Sequence, residues 1–332
     1  MHPIRIVVIG LGIMGRQHVR VLRELPQFEL VGVHDPDPQV TDLVLYDLPD
    51  VTLFRCIEDV VRMDITAAVV ASPTAMHAEQ TEFLVSQGIH VLVEKPVAGQ
   101  LSEALRLEKI AEEVHTCILV GHIERFNPAV GGLKSFLNRG ELGDIMSISA
   151  RRVGVARPAR PTTNVVFDLA IHDIDVVRFV MGQEVSVVGA IGGFLPGNVQ
   201  EDYAHLLLEC GPTTAAIEAN WITPRKSRRL SITGTAGLVE LDYIRQEVRS
   251  YRGKTEFIGD SGDLYRCIAA TAEPSVVPVD RAEPLRLELE HFHACIVGAE
   301  NPIITMEEAV SALRCCDEAT RLIRYGGRVT GC

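Results

Sequence analysis

Ile4-Arg5-Ile6-Val7-Val8-Ile9-Gly10-Leu11-Gly12-Ile13-Met14-Gly15 sets the architecture of the first half of this chain. Six residues of a strand-forming run lead straight into G-x-G-x-x-G, and an apolar periodicity through Val19 and Leu22 opens a helix behind the last glycine. Strand, tight glycine turn and helix N-terminus, in that order, make a cradle for a pyrophosphate. The turn needs residues without a Cβ, and the first-turn N–H groups point at the anion. The glycine string alone can be an ordinary turn; its place between strand and helix makes it a dinucleotide motif. Asp35 ends the second apolar run about 20 residues beyond Gly15, where an acid accepts the adenosine ribose hydroxyls. Pro36 follows it instead of an arginine, which favours NAD over NADP; the plainer role for Asp35 is to start a turn before Pro36.

Outward from this motif, short Val- and Ile-rich runs recur at 29–34, 67–71, 90–93 and 116–120, with helical periodicity at 79–87 and 102–114. Alternating strands and helices predict a doubly wound parallel sheet. After Gly121 the pattern changes. A helix at 128–139 and a strand at 145–153 precede a Pro- and Arg-rich loop at 155–163 and a helix at 167–181. Strand-like runs then succeed one another at 185–191, 203–209, 214–220, 229–233 and 238–242 across short turns, which predicts an open, largely antiparallel sheet. Helices at 285–298 and 306–325 close the chain. The expected fold is α/β: a Rossmann domain over 1–122 and a substrate-binding and oligomerisation α+β domain over 123–332. An open sheet needs one face covered, so a homodimer or homotetramer is expected.

Composition narrows the classes. Of the 332 residues, 47% are hydrophobic and 23% charged, the balance of a globular protein. No run approaches the roughly 18 apolar residues of a membrane helix, and the N-terminus has no signal-peptide pattern, so the cytoplasm is expected. The eight cysteines are scattered without a C-x-x-C pair and are expected to be reduced. A net charge of −12 excludes general nucleic-acid binding, which needs a basic face.

Three groups of residues carry chemistry. Lys95, in Glu94-Lys95-Pro96, follows the strand at 90–93 and falls at a carboxyl strand end, where ligands of doubly wound sheets sit. There its cation can stabilise charge developing on a substrate oxygen; a solvated surface lysine is the plain alternative. Asp168, His172 and Asp175 are spaced i, i+4 and i+7 in an otherwise apolar helix, which places an acid–imidazole–acid stripe on one face. That stripe suits a general base held by carboxylates; the alternatives are a helix cap with a structural histidine, or a metal site. With no cysteine or second histidine nearby, no metal is expected. Finally, Arg225-Lys226-Ser227-Arg228-Arg229, near the only tryptophan, Trp221, is either a solvated charge run or a recognition site for a phosphorylated substrate.

Taken together, GLGIMGRQH at 10–18, ASPTAMH at 71–77, Glu94-Lys95-Pro96 and DLAIHDID at 168–175 resemble the Gfo/Idh/MocA oxidoreductase family over nearly the whole chain. The resemblance implies a catalytic lysine at Lys95 with Asp168 and His172 as its helix partners. It implies cofactor contacts at Gly10, Gly12, Gly15, Asp35, Glu94 and the loop holding Ser72, Pro73, Thr74 and His77. GHIERFNP at 121–128 and NWITPRK at 220–226 further resemble the UDP-N-acetylglucosamine 3-dehydrogenases and related UDP-sugar dehydrogenases of that family, which implies sugar or diphosphate contacts at Arg125 and Asn127. The segment 37–49 departs from the family by lacking an Ala-rich helix and carrying Pro38 and Pro49. The implied reaction is NAD-dependent oxidation at C3 of a UDP-N-acetylhexosamine. An unphosphorylated sugar or polyol such as inositol, or a non-catalytic nucleotide sensor, are the competing functions.

Overall fold

The computed structural model describes residues 2–41, 50–155, 163–257, 265–268 and 274–326. Most of the segment 37–49, most of the Pro- and Arg-rich loop and Cys332 lie outside them.

The chain divides into two compact units. The first is built on a six-stranded parallel sheet: β1 (Ile4–Ile9), β2 (Phe28–His34), β3 (Thr52–Phe54), β4 (Ala67–Val70), β5 (His90–Glu94) and β6 (Ile118–Gly121), ordered β3-β2-β1-β4-β5-β6. Val7, Val8, Val69, Val70, Val91 and Leu92 are fully buried, as expected where helices cover both faces. The helices are α1 (Ile13–Glu24), the short α2 (Ile57–Val60), α3 (His77–Ser86) and α4 (Leu101–Glu113). β3 and α2 carry too few residues to leave a periodic signal, and the sequence pattern does not show them.

The second unit holds an eight-stranded sheet, and the chain enters it through α5 (Pro128–Asn138) and β7 (Ile145–Val153). A π-helical turn, Val166–Ala170, runs on into α6 (Ile171–Met181). β8 (Ser186–Gly193), β9 (Tyr203–Cys210), β10 (Thr213–Asn220), β11 (Ser227–Gly234), β12 (Gly237–Asp242) and β13 (Glu247–Arg252) follow. β14 (Lys254–Phe257) and β15 (Tyr265–Ile268) form a separate hairpin, and β16 (Ser275–Val277) returns to the large sheet. Its order is β16-β13-β12-β11-β7-β10-β9-β8, antiparallel throughout except for the parallel β7–β10 pair. Alternation sets its two faces: Ile148, Ala150, Leu206, Leu208, Ile217, Leu230 and Ile232 are buried, whereas Ser149, Arg151, Leu207 and Arg229 face outward.

The division differs from a single cut at 122/123. The first unit takes Met1–Ile123 and Glu283–Arg314, and the second takes Glu124–Ala282 and Cys315–Cys332. The reason is the helix α7 (Pro284–Ile296), which packs on the parallel-sheet unit. Arg20 pairs with Glu283, Arg286 pairs with Glu24, and the Phe28 and His293 rings meet edge to face at 5.7 Å. The last helix, α8 (Met306–Tyr325), supplies residues to both units.

Candidate active site

The glycine motif forms the cradle its spacing predicts. Gly10 has φ +89°, and a Cβ there would lie 2.5 Å from the Ser72 amide nitrogen; one on Gly15 would lie 1.8 Å from the Gly10 carbonyl. Both positions therefore need glycine for backbone packing, at the point between β1 and β4 where the strand order reverses. Gly12 is different: nothing lies within 4 Å of its Cβ position, so the space beside it is open. It caps α1 without a side-chain hydrogen bond, and no acid stands in the first turn. Uncapped N–H groups beside open space suit a pyrophosphate. Ile13, 77% exposed, and half-buried Met14 flank that space.

Asp35 is held rigidly. Its Oδ2 accepts from the Leu11 amide at 2.7 Å and its Oδ1 from the Asp37 amide at 2.9 Å. Each carboxylate oxygen keeps a further lone pair for a ribose hydroxyl. The residues fit an NAD: the Gly10–Gly15 backbone would hold the pyrophosphate and Asp35 the adenosine ribose. Asp35→Ala is expected to erode discrimination against NADP, since it removes the anion that repels a 2′-phosphate. Steady-state kinetics with both cofactors check this, and better turnover of the unmodified protein with NADP would overturn it.

The loop after β4 divides its labour. Ser72 Oγ donates to Gln80 at 2.6 Å, and Pro73 and Thr74 start a short 3₁₀ turn, Thr74–Met76. His77 is buried, with Nδ1 2.8 Å from the Pro96 carbonyl and Nε2 2.8 Å from that of Ser72. It braces the loop against the turn after Lys95. Glu94 also turns inward: it is buried and accepts from His18 Nε2 at 2.9 Å. Burial pushes its carboxyl up, but the His18 hydrogen bond and the charges of Lys95 and His77 outweigh this and hold it below the usual range. Beside it lies Glu288 of α7, fully buried; burial first and Glu94 second push its carboxyl well above the usual range. Lys95, half-buried, follows β5 directly and so stands at the carboxyl end of that strand.

In the second unit, α6 carries the predicted stripe, but its members part ways. Asp168 lies in the π-helical turn, not in regular α-helix, and its Oδ2 accepts from the buried Trp221 indole at 3.0 Å. Such turns widen the helix and recur at functional sites. His172 is half-buried at the second position of α6. Asp175 leaves the stripe: it is buried and binds Arg125 through Nε at 2.9 Å and Nη2 at 2.7 Å. Arg125 is buried with it. Asn127 caps α5, its Oδ1 accepting from Ala129 at 3.1 Å and its Nδ2 donating to the Tyr243 carbonyl at 3.1 Å. Arg125 and Asn127 thus both have partners within the framework of this unit.

A second buried pair escaped the sequence pattern. Arg152 donates to Asp173 at 2.7 and 3.0 Å and to Glu124 at 2.7 Å, and its guanidinium lies 4.8 Å from the Tyr243 ring centre. The signal was present: Arg152 shares the parity of Ile148 and Ala150 in β7, and an arginine on an apolar face demands a buried carboxylate. The Arg125–Asp175 and Arg152–Asp173 pairs hold α6 from two sides and so fix the backbone that carries His172. Arg225 and Lys226 are exposed and line a groove of about 310 Å³ with Arg151, Arg228, Arg229 and Arg245, against the single acid Asp242. Among the described residues, no group of three or more histidines, cysteines or acids could hold a metal ion.

A glycine cradle at the switch point of a parallel sheet, followed by Lys95 at a strand end, defines an NAD-binding oxidoreductase. The oxidoreductase family model with an NAD-binding Rossmann fold matches residues 4–122, and the GFO/IDH/MocA C-terminal domain matches 132–240. The chain belongs to the Gfo/Idh/MocA oxidoreductase family. It is 26% identical to scyllo-inositol 2-dehydrogenase (NAD(+)) of Bacillus subtilis, over 98% of this chain and 95% of that protein. It is also 26% identical to UDP-N-acetylglucosamine 3-dehydrogenase of Acidithiobacillus ferrooxidans, over 91% of each. The solved structure of UDP-N-acetylglucosamine 3-dehydrogenase GnnA from that organism superposes with a TM-score of 0.81 at 23% identity, covering 97% of this chain and 98% of that one.

Proposed function

We propose that the chain oxidises the C3 hydroxyl of a UDP-linked N-acetylhexosamine to a ketone, with NAD preferred over NADP. The groove lined by Arg225, Lys226 and four more arginines carries this reading, because an overall acidic chain concentrates cations there, as recognition of a diphosphate requires. His172 takes the hydroxyl proton, Asp168 orients the imidazole or the sugar, and Lys95 holds the oxygen as negative charge builds on it. Bound NAD supplies the hydride acceptor. A ketone results when the carbinol carbon loses its hydride and the oxygen its proton.

Absorbance of NADH with a set of UDP-sugars and inositols tests the proposal. Turnover of a UDP-N-acetylhexosamine is expected, with a KM raised about tenfold or more in Arg225→Ala through loss of a charge-assisted contact. Turnover of inositol alone would overturn it in favour of a polyol dehydrogenase, a reading supported by the Bacillus subtilis relative.

The outward sheet face, with Ile191 71% and Leu207 56% exposed, supports a homodimer or homotetramer. Light scattering is expected to give a multiple of 36.4 kDa at micromolar concentration, and a monomer would count against it. Among the described residues, no helix is long and apolar enough to cross a membrane.

A further inference from the structure

Of the six cations lining the groove, Arg228 differs from the rest in burial and in company. Arg151, Arg225, Lys226, Arg229 and Arg245 are exposed and keep their hydration, whereas Arg228 is half-buried. Alternation along β11 explains this: Arg228 shares the parity of Leu230 and Ile232, whose side chains are buried, while Arg229 faces outward. In the register of the sheet Arg228 stands opposite Arg152 of β7. Two arginines therefore start from neighbouring positions on one face, the face on which Arg152 holds α6 through Asp173.

Their surroundings are unequal. Arg152 bonds two carboxylates, Asp173 and Glu124. Arg228 bonds none: its Nη1 donates to the Val153 carbonyl at 2.9 Å and to the Ser227 carbonyl at 3.2 Å, and among the described residues no carboxylate forms an ion pair with it. Even exposed arginines of the groove do better, Arg151 pairing with Glu218 at 2.6 Å and Arg229 with Asp242 at 3.4 Å. The cation that has lost most water thus has no acid to replace it. Burial first and the Arg152 charge second outweigh the attractions of Asp173, Glu124 and Asp168 and hold the guanidinium below its ordinary range. A half-buried cation without a counter-ion is costly to keep, and an anionic ligand would offset that cost. Both Nη1 protons are spent on backbone carbonyls, which fixes the guanidinium plane. Nε and Nη2 have no partner among the described residues, and neither is sealed from solvent. That edge matches two oxygens of one phosphate.

We propose that Arg228 is the specificity-determining cation of the groove and grips, through Nε and Nη2, the phosphate bonded to the sugar of the substrate. Position decides which phosphate it takes. Arg228 shares the face that meets α6, the helix carrying His172, whereas Arg151 and Arg229 face outward and Arg225 and Lys226 precede β11 on the surface. The exposed cations are left for the outer phosphate. This role rests on the UDP-sugar reading above, since a sugar-linked phosphate exists only in a substrate of that class.

Isothermal titration of UDP and UMP into the protein saturated with NAD tests it. NAD fills the glycine cradle, and UDP differs from UMP by the phosphate given to Arg228. The unmodified protein is expected to bind UDP about tenfold or more tighter than UMP. Arg228→Gln should lose that difference, weakening UDP about tenfold or more while UMP changes less than about threefold, and Arg228→Lys should restore part of it without the two-pronged contact. Melting temperature gives a second measure. Removing a half-buried, unpaired charge should leave it level or raise it, whereas a fall beyond about 5 °C would mark Arg228 as a structural residue and overturn the proposal. UDP held no tighter than UMP by the unmodified protein, or held equally by Arg228→Gln, would also overturn it and leave the UDP-sugar reading intact. Failure of the unmodified protein to bind either nucleotide would instead remove the UDP-sugar reading, and the role of Arg228 with it.

Discussion

Lys95→Ala is expected to lower kcat by about 10²–10³-fold, and His172→Ala by about 10²–10⁴-fold, with both proteins folded and still binding NAD. The argument starts from charge. A hydride leaves a carbinol carbon most easily once the hydroxyl proton is departing, so the transition state carries alkoxide character. A positioned base accepts that proton and a pre-aimed cation steadies the oxygen. Lys95 follows β5 at the end of a strand buried in the sheet, which restrains its backbone, and Asp35 and the glycine cradle lie elsewhere on the same edge. Removing the ammonium should therefore spare cofactor affinity, readable by fluorescence titration, and strike the chemical step. His172 sits on a helix held by its neighbours Asp173 and Asp175, so trimming its ring to a methyl leaves those anchors in place. A structural histidine would behave in the opposite way, costing melting temperature while sparing kcat. Near-full kcat in His172→Ala would show that another group, Lys95 foremost, takes the proton.

What could be read from the sequence divides along physical lines. The parallel sheet was legible because Ile6–Ile9, Val69–Val70 and Val91–Val93 are continuous apolar runs, and the cradle because glycine alone tolerates the close packing at Gly10 and Gly15. The strands from β8 to β12 were legible through alternation, as in Leu206 and Leu208 against Leu207. The placing of α7 was not, because helical periodicity shows that a face is buried but not what buries it; the Arg20–Glu283 and Arg286–Glu24 pairs join residues more than 250 positions apart. The same limit explains the stripe on α6. Spacing put Asp175 beside His172, yet a buried carboxylate goes to the nearest buried cation, and Arg125 is 50 positions earlier in the chain. The motif holding Arg125 and Asn127 was legible, whereas the engagement of their side chains by Asp175 and by the α5 N-terminus is read only from the structure.

Asp173→Ala is expected to be the most destabilising single change, at about 3–5 kcal/mol. Asp173 is fully buried and accepts two hydrogen bonds from Arg152, itself only 3% exposed. Deleting the carboxylate leaves a guanidinium in a low-dielectric site with only Glu124 to balance it, and that uncompensated charge sets the cost. Melting temperature should fall by roughly 10 °C for a unit of this size. Replacing both partners by apolar residues of similar volume, Arg152→Met with Asp173→Leu, should recover most of the loss, because no buried charge then remains. Thermal unfolding of the two variants separates a buried pair from a merely well-packed one. A cost below about 1 kcal/mol for Asp173→Ala, the range of exposed pairs, would show that Glu124 alone suffices for Arg152. The double variant also tests function, since α6 would keep its packing but lose one of the two ionic clamps beside His172. If that clamp positions the imidazole, kcat should drop in the double variant while stability returns.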